Sequence, residues 1–252
     1  MNITWNAQDY AAHFTFVHEY GQDVLSLVEA GDGGLAVDLG CGNGALTAAL
    51  AAKGYRVRGI DASGEMLAIA GKNHPDLAFY QDDALTFALE EKADVIFSNA
   101  VFHWIDGEQQ DRLAANLAAQ LKSGGQLICE FGGQGCAETV HAALERAFAE
   151  RGLTYPRTFF FPTIGEYAPI LERNGFLVEF AALFERPTVQ QSPENGLRDW
   201  INMFVTKPFE GMESELKEGI LQEAQERVRD RLFQDGKWVI DYVRIRIKAR
   251  RK

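Results

Sequence analysis

Cysteine is scarce in this sequence. Its 252 residues hold three, Cys41, Cys129 and Cys136, an odd number without the paired spacing of a zinc site. That argues against a disulfide framework, so three free thiols in a reducing compartment are expected, and no metal. Long apolar runs are missing too: no stretch approaches the ~20 residues that a membrane span needs. Met1 to Tyr10 has neither a basic start nor an apolar run, so no signal peptide is expected and the cytoplasm is the default location. Positive charge is in deficit, with 25 Lys and Arg against 36 Asp and Glu, a formal net charge of −11. A field of that sign opposes a phosphate backbone, so nucleic acid is not an expected partner. An anionic small substrate would need a locally basic pocket. Internal repeats and low-complexity segments are also absent.

What is present is apolar residue in quantity, 46%, enough for a sizeable core in one α/β domain over residues 1–252, as monomer or homodimer. Leu35–Leu39, Tyr55–Ile60, Leu77–Gln81, Asp94–Ser98 and Gln126–Phe131 read as strands. Several are almost wholly apolar, as in a parallel sheet covered on both faces. Helix candidates alternate with them: Ala45–Lys53, Ser63–Lys72, Glu108–Lys122 and Ala137–Arg151. Ser63 is a candidate N-cap with Glu65 in the first turn. This alternation predicts a Rossmann-like, doubly wound sheet. Phe176–Phe184 and Val239–Ile247 add a sixth and a seventh strand, the last half-exposed. The basic residues from Arg244 to Lys252 are then expected to form an exposed strand edge and solvated tail. The connection 187–236 is far longer than the usual ~2–8 residues and reads as an inserted helical cap. Residues 1–30, amphipathic and helical over 5–28, are expected to supply the rest of the cap.

Between the first strand and its helix lies Asp38-Leu39-Gly40-Cys41-Gly42-Asn43-Gly44. Glycines there allow a sharp turn and close approach of a ligand to the backbone. Asp61 follows Gly42 by 19 residues, where a carboxylate accepts hydrogen bonds from ribose hydroxyls. The spacing alone also fits a nicotinamide dinucleotide. Asp38 argues against that, since a carboxylate there suits a cationic ligand better than a pyrophosphate. Asp83, ending the third strand, can accept from an adenine amino group.

The blocks VDLGCGNG, GIDASGEML, YQDDAL, VIFSNAVFHWI and LKSGGQLICEFGG resemble, in order and spacing over 35–133, the motifs of class I S-adenosylmethionine-dependent methyltransferases. The chain most resembles their small-molecule branch containing trans-aconitate methyltransferase. The resemblance implies S-adenosylmethionine as cofactor and methyl transfer to a small-molecule acceptor, a carboxylate oxygen being the favoured atom. A nicotinamide-dependent oxidoreductase and a non-catalytic S-adenosylmethionine-binding protein are the alternatives. It also implies site roles. Gly40, Cys41 and Gly42 would wall the methionine part, with Asp38 and Asn99 near its ammonium. Asp61 would hold the ribose. Ala62, Met66, Asp83 and Ala84 would meet the adenine. His103 is the candidate base or hydrogen-bond partner, and Tyr10, His13, Trp104 and Trp200 are candidate substrate contacts. Tyr10, His13, Phe14 and Val17 share one helical face, which packing alone also explains. Branch members usually carry an arginine in this N-terminal segment; Phe14 to Tyr20 has none, which is at odds with a tricarboxylate substrate. Arg157, Arg186, Arg198 and Lys207 are possible anion partners, and Met203 and Phe204 possible apolar wall.

Overall fold

A computed structural model describes residue 21 and residues 23–252. The central strand β1 (Leu35–Leu39) is buried along its whole length. That is what five apolar or hydrogen-bonded residues do when helices cover both sheet faces. Around it stand β2 (Arg56–Asp61), β3 (Ala78–Gln81), β4 (Ala93–Asn99), β5 (Leu121–Gly132), β6 (Phe176–Glu185) and β10 (Val243–Arg251), in the order β3-β2-β1-β4-β5-β10-β6. Pairing is parallel from β3 to β5, and β10 is antiparallel to both its neighbours. The direction of winding reverses between β1 and β4. Such a switch point opens a crevice at the carboxyl ends of the strands.

Helices α1 (Ala45–Ala52), α2 (Gly64–Asn73), α3 (Gln110–Gln120) and α5 (Ile164–Arg173) pack on the sheet, while α4 (Glu138–Ala149) packs on the layer added after β6. Ser63 caps α2, its hydroxyl accepting the Met66 N–H at 3.3 Å. Thr163 and Glu166 close a reciprocal capping box at the start of α5. The helix candidates above do not include it, although Thr163-x-x-Glu166 is a helix-start pattern. The long connection after β6 holds α6 (Gly196–Phe204) and α7 (Ser214–Leu232), and also a small sheet of β7 (Thr188–Val189), β8 (Phe233–Gln234) and β9 (Lys237–Ile240). Its core, with Trp200, Ile201 and Trp238, is continuous with Trp104 and with α4. The layer thus sits at the exit of β4. Among the described residues no helix is long and apolar enough to cross a membrane.

Two sequence expectations need correction. Val239–Ile247 is not one strand: the chain breaks at Asp241 and Tyr242, leaving β9 in the small sheet and β10 in the large one. Nor is the basic C-terminal stretch an exposed edge with a solvated tail. It is an inner strand, paired as far as Arg251. Its cations find acids on both sides. Lys248 and Arg250 reach Glu29, Arg250 also reaches Glu179, and Arg246 donates to Glu130 at 2.6 Å.

Glu130 on β5 is 2% exposed and takes Arg186 on its other oxygen. A buried carboxylate is tolerable only when its charge is met this closely. Removing it strands two guanidinium groups, so Glu130→Ala should cost about 3–5 kcal/mol. A fall in the urea midpoint, followed by circular dichroism, would show it; an unchanged midpoint would mean the triad carries no stability.

Candidate functional site

The chain leaves β1 at Leu39 and turns sharply. Gly40 has φ 77°, and a Cβ on it would lie 2.1 Å from Val101 Cγ2, so conformation and packing both demand glycine. The N–H groups of Gly40 and Cys41 both donate to Ile60 O, at 2.7 and 3.1 Å, binding the turn to β2. Asp61, at the end of β2, secures it further. One carboxylate oxygen accepts the Gly42 N–H at 2.9 Å and the other the Ser63 N–H at 2.8 Å. Burial raises its pKa, while these two bonds pull the other way.

Beside this turn lies an open cavity of about 610 Å³, counting the solvent at its mouth. Of the residues expected there, Gly40, Gly42, Asp61, Ala62, Met66, Ala84 and Asn99 line it. Asp38, Cys41 and Asp83 do not. Asp38 is buried beneath the turn and accepts the Thr47 hydroxyl at 2.6 Å; burial pushes its pKa up to about 7. The Cys41 sulfur packs over Gly59 of β2, where burial keeps the thiol protonated. Asp83 turns one carboxylate oxygen onto the Leu85 N–H at 2.8 Å. Its neighbour Asp82 forms the wall instead, because its N–H is tied to Asp61 O. The sequence reading missed Asp82, Ala100 and Val101; for Asp82 the signal was the adjacent acid.

At the far wall, the Ser98 hydroxyl donates to Leu39 O at 2.8 Å and fixes β4 against β1. The next residue but one, Ala100, has φ 62°, a left-handed conformation that costs a non-glycine residue about 1 kcal/mol. It is held there at both ends. Its N–H donates to Glu130 O at 2.7 Å, and its carbonyl accepts the Trp104 indole N–H at 3.2 Å. The turn Phe102–Trp104 then directs His103 away from the first cavity.

His103 lines a second cavity of about 440 Å³, which shares Ala100 and Trp104 with the first and includes Trp200 and Phe204. Its Nδ1 accepts the Gly132 N–H at 3.1 Å. Burial and the nearby Arg244 hold its pKa well below the usual value. A neutral ring whose Nδ1 is engaged this way carries its proton on Nε2 and offers a donor rather than a base. Tyr10, His13, Phe14 and Val17 lie outside the described residues. Among the proposed anion partners, Arg157 pairs with Glu138 and Glu145, Arg198 with Glu218 and Arg186 with Glu130; Met203 packs against the cap core.

Comparison with known proteins converges on one family. Residues 36–125 match the family described as a methyltransferase domain. Over 98% of both chains, the protein is 28% identical to an uncharacterised methyltransferase of Schizosaccharomyces pombe. It is 30% identical to a trans-aconitate 2-methyltransferase of Methylobacterium radiotolerans, covering 86% of each chain. Its fold matches that of geranyl diphosphate C-methyltransferase from Streptomyces coelicolor, with TM-score 0.54 at 16% identity over 93% of this chain and 78% of the other; that structure contains S-adenosyl-L-homocysteine. These matches set aside the nicotinamide alternative that the glycine spacing admits. The chain belongs to the class I S-adenosylmethionine-dependent methyltransferases, in the branch that includes trans-aconitate methyltransferase.

Proposed function

We propose that the larger cavity holds S-adenosylmethionine and that the adjoining cavity takes a small-molecule acceptor, methylated on a carboxylate oxygen in the cytoplasm. The supporting observation is that the two cavities meet at a single wall, Ala100 and Trp104. The residues present fit the cofactor. Glycine backbone without side chains faces the larger cavity, and a Cβ on Gly42 would close to 3.2 Å of Met66 Cε. A half-buried carboxylate stands at its side in Asp61. When bound, the cofactor supplies a methyl group on a sulfonium sulfur, open to in-line displacement.

Each residue then has a task. Asp61 retains lone-pair capacity for ribose hydroxyls beyond the Gly42 and Ser63 N–H groups that it accepts. Ala62, Met66 and Ala84 pack on the adenine. Asp82, on the cavity wall, stands beside the adenine edge, with Asp83 behind it and turned onto the Leu85 N–H. Gly40, Gly42 and Asn99 surround the methionine part, and Asp38, buried beneath the turn, acts on its ammonium through its charge rather than by contact. Trp104 and Trp200 wall the acceptor and exclude water. His103 donates from Nε2 to an acceptor oxygen. A carboxylate nucleophile needs no general base, which agrees with a histidine that cannot serve as one.

Asp61→Asn should weaken binding of S-adenosylhomocysteine by about 1.5–3 kcal/mol, the range for hydrogen bonds to charged groups. Isothermal titration measures this, and equal affinities would dismiss the ribose role. Asp38 makes binding depend on pH. Folding raises its pKa from 3.8 to about 7. The stability it contributes is therefore fully present below 3.8 and is lost as pH rises through about 7. A ligand ammonium favours the ionised form, so affinity for S-adenosylhomocysteine should increase from pH 6 to pH 8, and Asp38→Asn should flatten that slope. A slope that persists in the variant would remove Asp38 from the site. With methyl-labelled S-adenosylmethionine and a panel of carboxylic acids, the labelled products should release their methyl in alkali, as esters do. Alkali-stable label would place the acceptor atom elsewhere.

A further inference from the structure

The smaller cavity contains a charge without a counter-ion. Arg244 is 8% exposed and is the only charged residue lining that cavity among the described residues. Its guanidinium lies over the Tyr242 ring at 4.4 Å and makes a long contact of 3.8 Å to Cys136 Sγ. No described carboxylate lies within ion-pair distance of it. Its placement explains why. At its position in β10 the cross-strand neighbours are Gly132 and Phe184, and neither brings an acid. Glu130, two residues further along β5, already closes on Arg186 and Arg246. A buried charge is ordinarily paired, because desolvation costs several kcal/mol otherwise. A cation left bare in the wall of a cavity has its partner in the ligand.

The rest of the wall describes the body of that ligand. Phe159 and Phe161 stack at 5.1 Å with 7° between their planes, and Trp104 packs on Phe159 at 4.8 Å. Trp200 closes another side, its indole N–H donating to the Tyr242 hydroxyl. Flat aromatic walls match a flat apolar body, and one cation matches one negative charge.

Resting on the reading that this cavity takes the acceptor, we propose that Arg244 anchors a single carboxylate of the acceptor, and that the acceptor is a flat, singly charged acid rather than a tricarboxylate. The guanidinium fork suits a carboxylate in particular, donating one N–H to each of its two oxygens at once. The His103 Nε2–H, beside it, supplies a second donor.

Binding to the protein saturated with S-adenosylhomocysteine tests this, followed by fluorescence of Trp104 and Trp200. The probes are trans-cinnamate, its neutral methyl ester and trans-aconitate. Cinnamate should bind about tenfold or more tighter than the other two, and Arg244→Gln should lose that margin, as expected for one charge-assisted contact. S-Adenosylhomocysteine should bind both proteins within about twofold. Arg244→Met should raise the melting midpoint of the ligand-free protein, because an uncompensated charge is removed; a guanidinium kept for packing alone would lower it. Equal binding of acid and ester, tighter binding of trans-aconitate, cinnamate unaffected by Arg244→Gln, or no response of the wild type to cinnamate would each overturn the proposal. Failure of the wild type to bind S-adenosylhomocysteine would instead overturn the cofactor cavity.

Discussion

The side chain and the backbone of Glu130 carry separate loads, and the arrangement of both cavities follows from them. The carboxylate, buried in β5, draws in Arg246 of β10 and Arg186 just beyond β6. That fixes the antiparallel strand between two parallel ones. The backbone carbonyl of the same residue receives the Ala100 N–H and sets the exit of β4. The strand pair that completes the sheet and the turn that separates the cavities therefore share one anchor. Desolvation makes the anchor strict, since a buried carboxylate with one guanidinium fewer would be strongly unfavourable.

The two cavities are built from different materials. The larger one is centred on main chain, the turn at Gly40 and Gly42 held by Ile60 O and the Asp61 carboxylate, with mostly apolar side chains such as Ile60, Met66 and Val101 around it. Main-chain groups change little when side chains are exchanged, which suits a ligand common to a whole superfamily. The smaller cavity is side chain almost throughout, with rings from the β4 exit, the 159–161 segment and α6. Its shape is set residue by residue.

How far each region is legible in the sequence follows the same division. β1 could be read because both its faces are buried, which leaves an unbroken apolar signature. The Gly42 to Asp61 spacing could be read because it spans one helix and one strand, α1 and β2. Ser63 could be read because capping is local. The basic residues of β10 were misread as solvated. Their acids, Glu29, Glu130 and Glu179, lie between 71 and 221 residues away in the chain, and no local pattern reports such pairing. The exchange of Asp82 for Asp83 in the cavity wall hangs on one backbone bond to Asp61 O, again a tertiary matter. His103 was legible as a residue of the site. Its tautomer was not, since the Gly132 N–H that sets it comes from another strand.

Ala100 gives the molecule a partition that cannot be retuned by choosing another rotamer. Its left-handed backbone is pinned at the N–H by Glu130 and at the carbonyl by Trp104, so the divider between the cavities is main chain under tension. Over evolutionary time such a divider channels variation. Exchanges among Phe159, Phe161 and Phe204 can reshape the smaller cavity, while the spacing between the two cavities stays constant. A scaffold of this kind diversifies by changing its guests and keeping the distance between them.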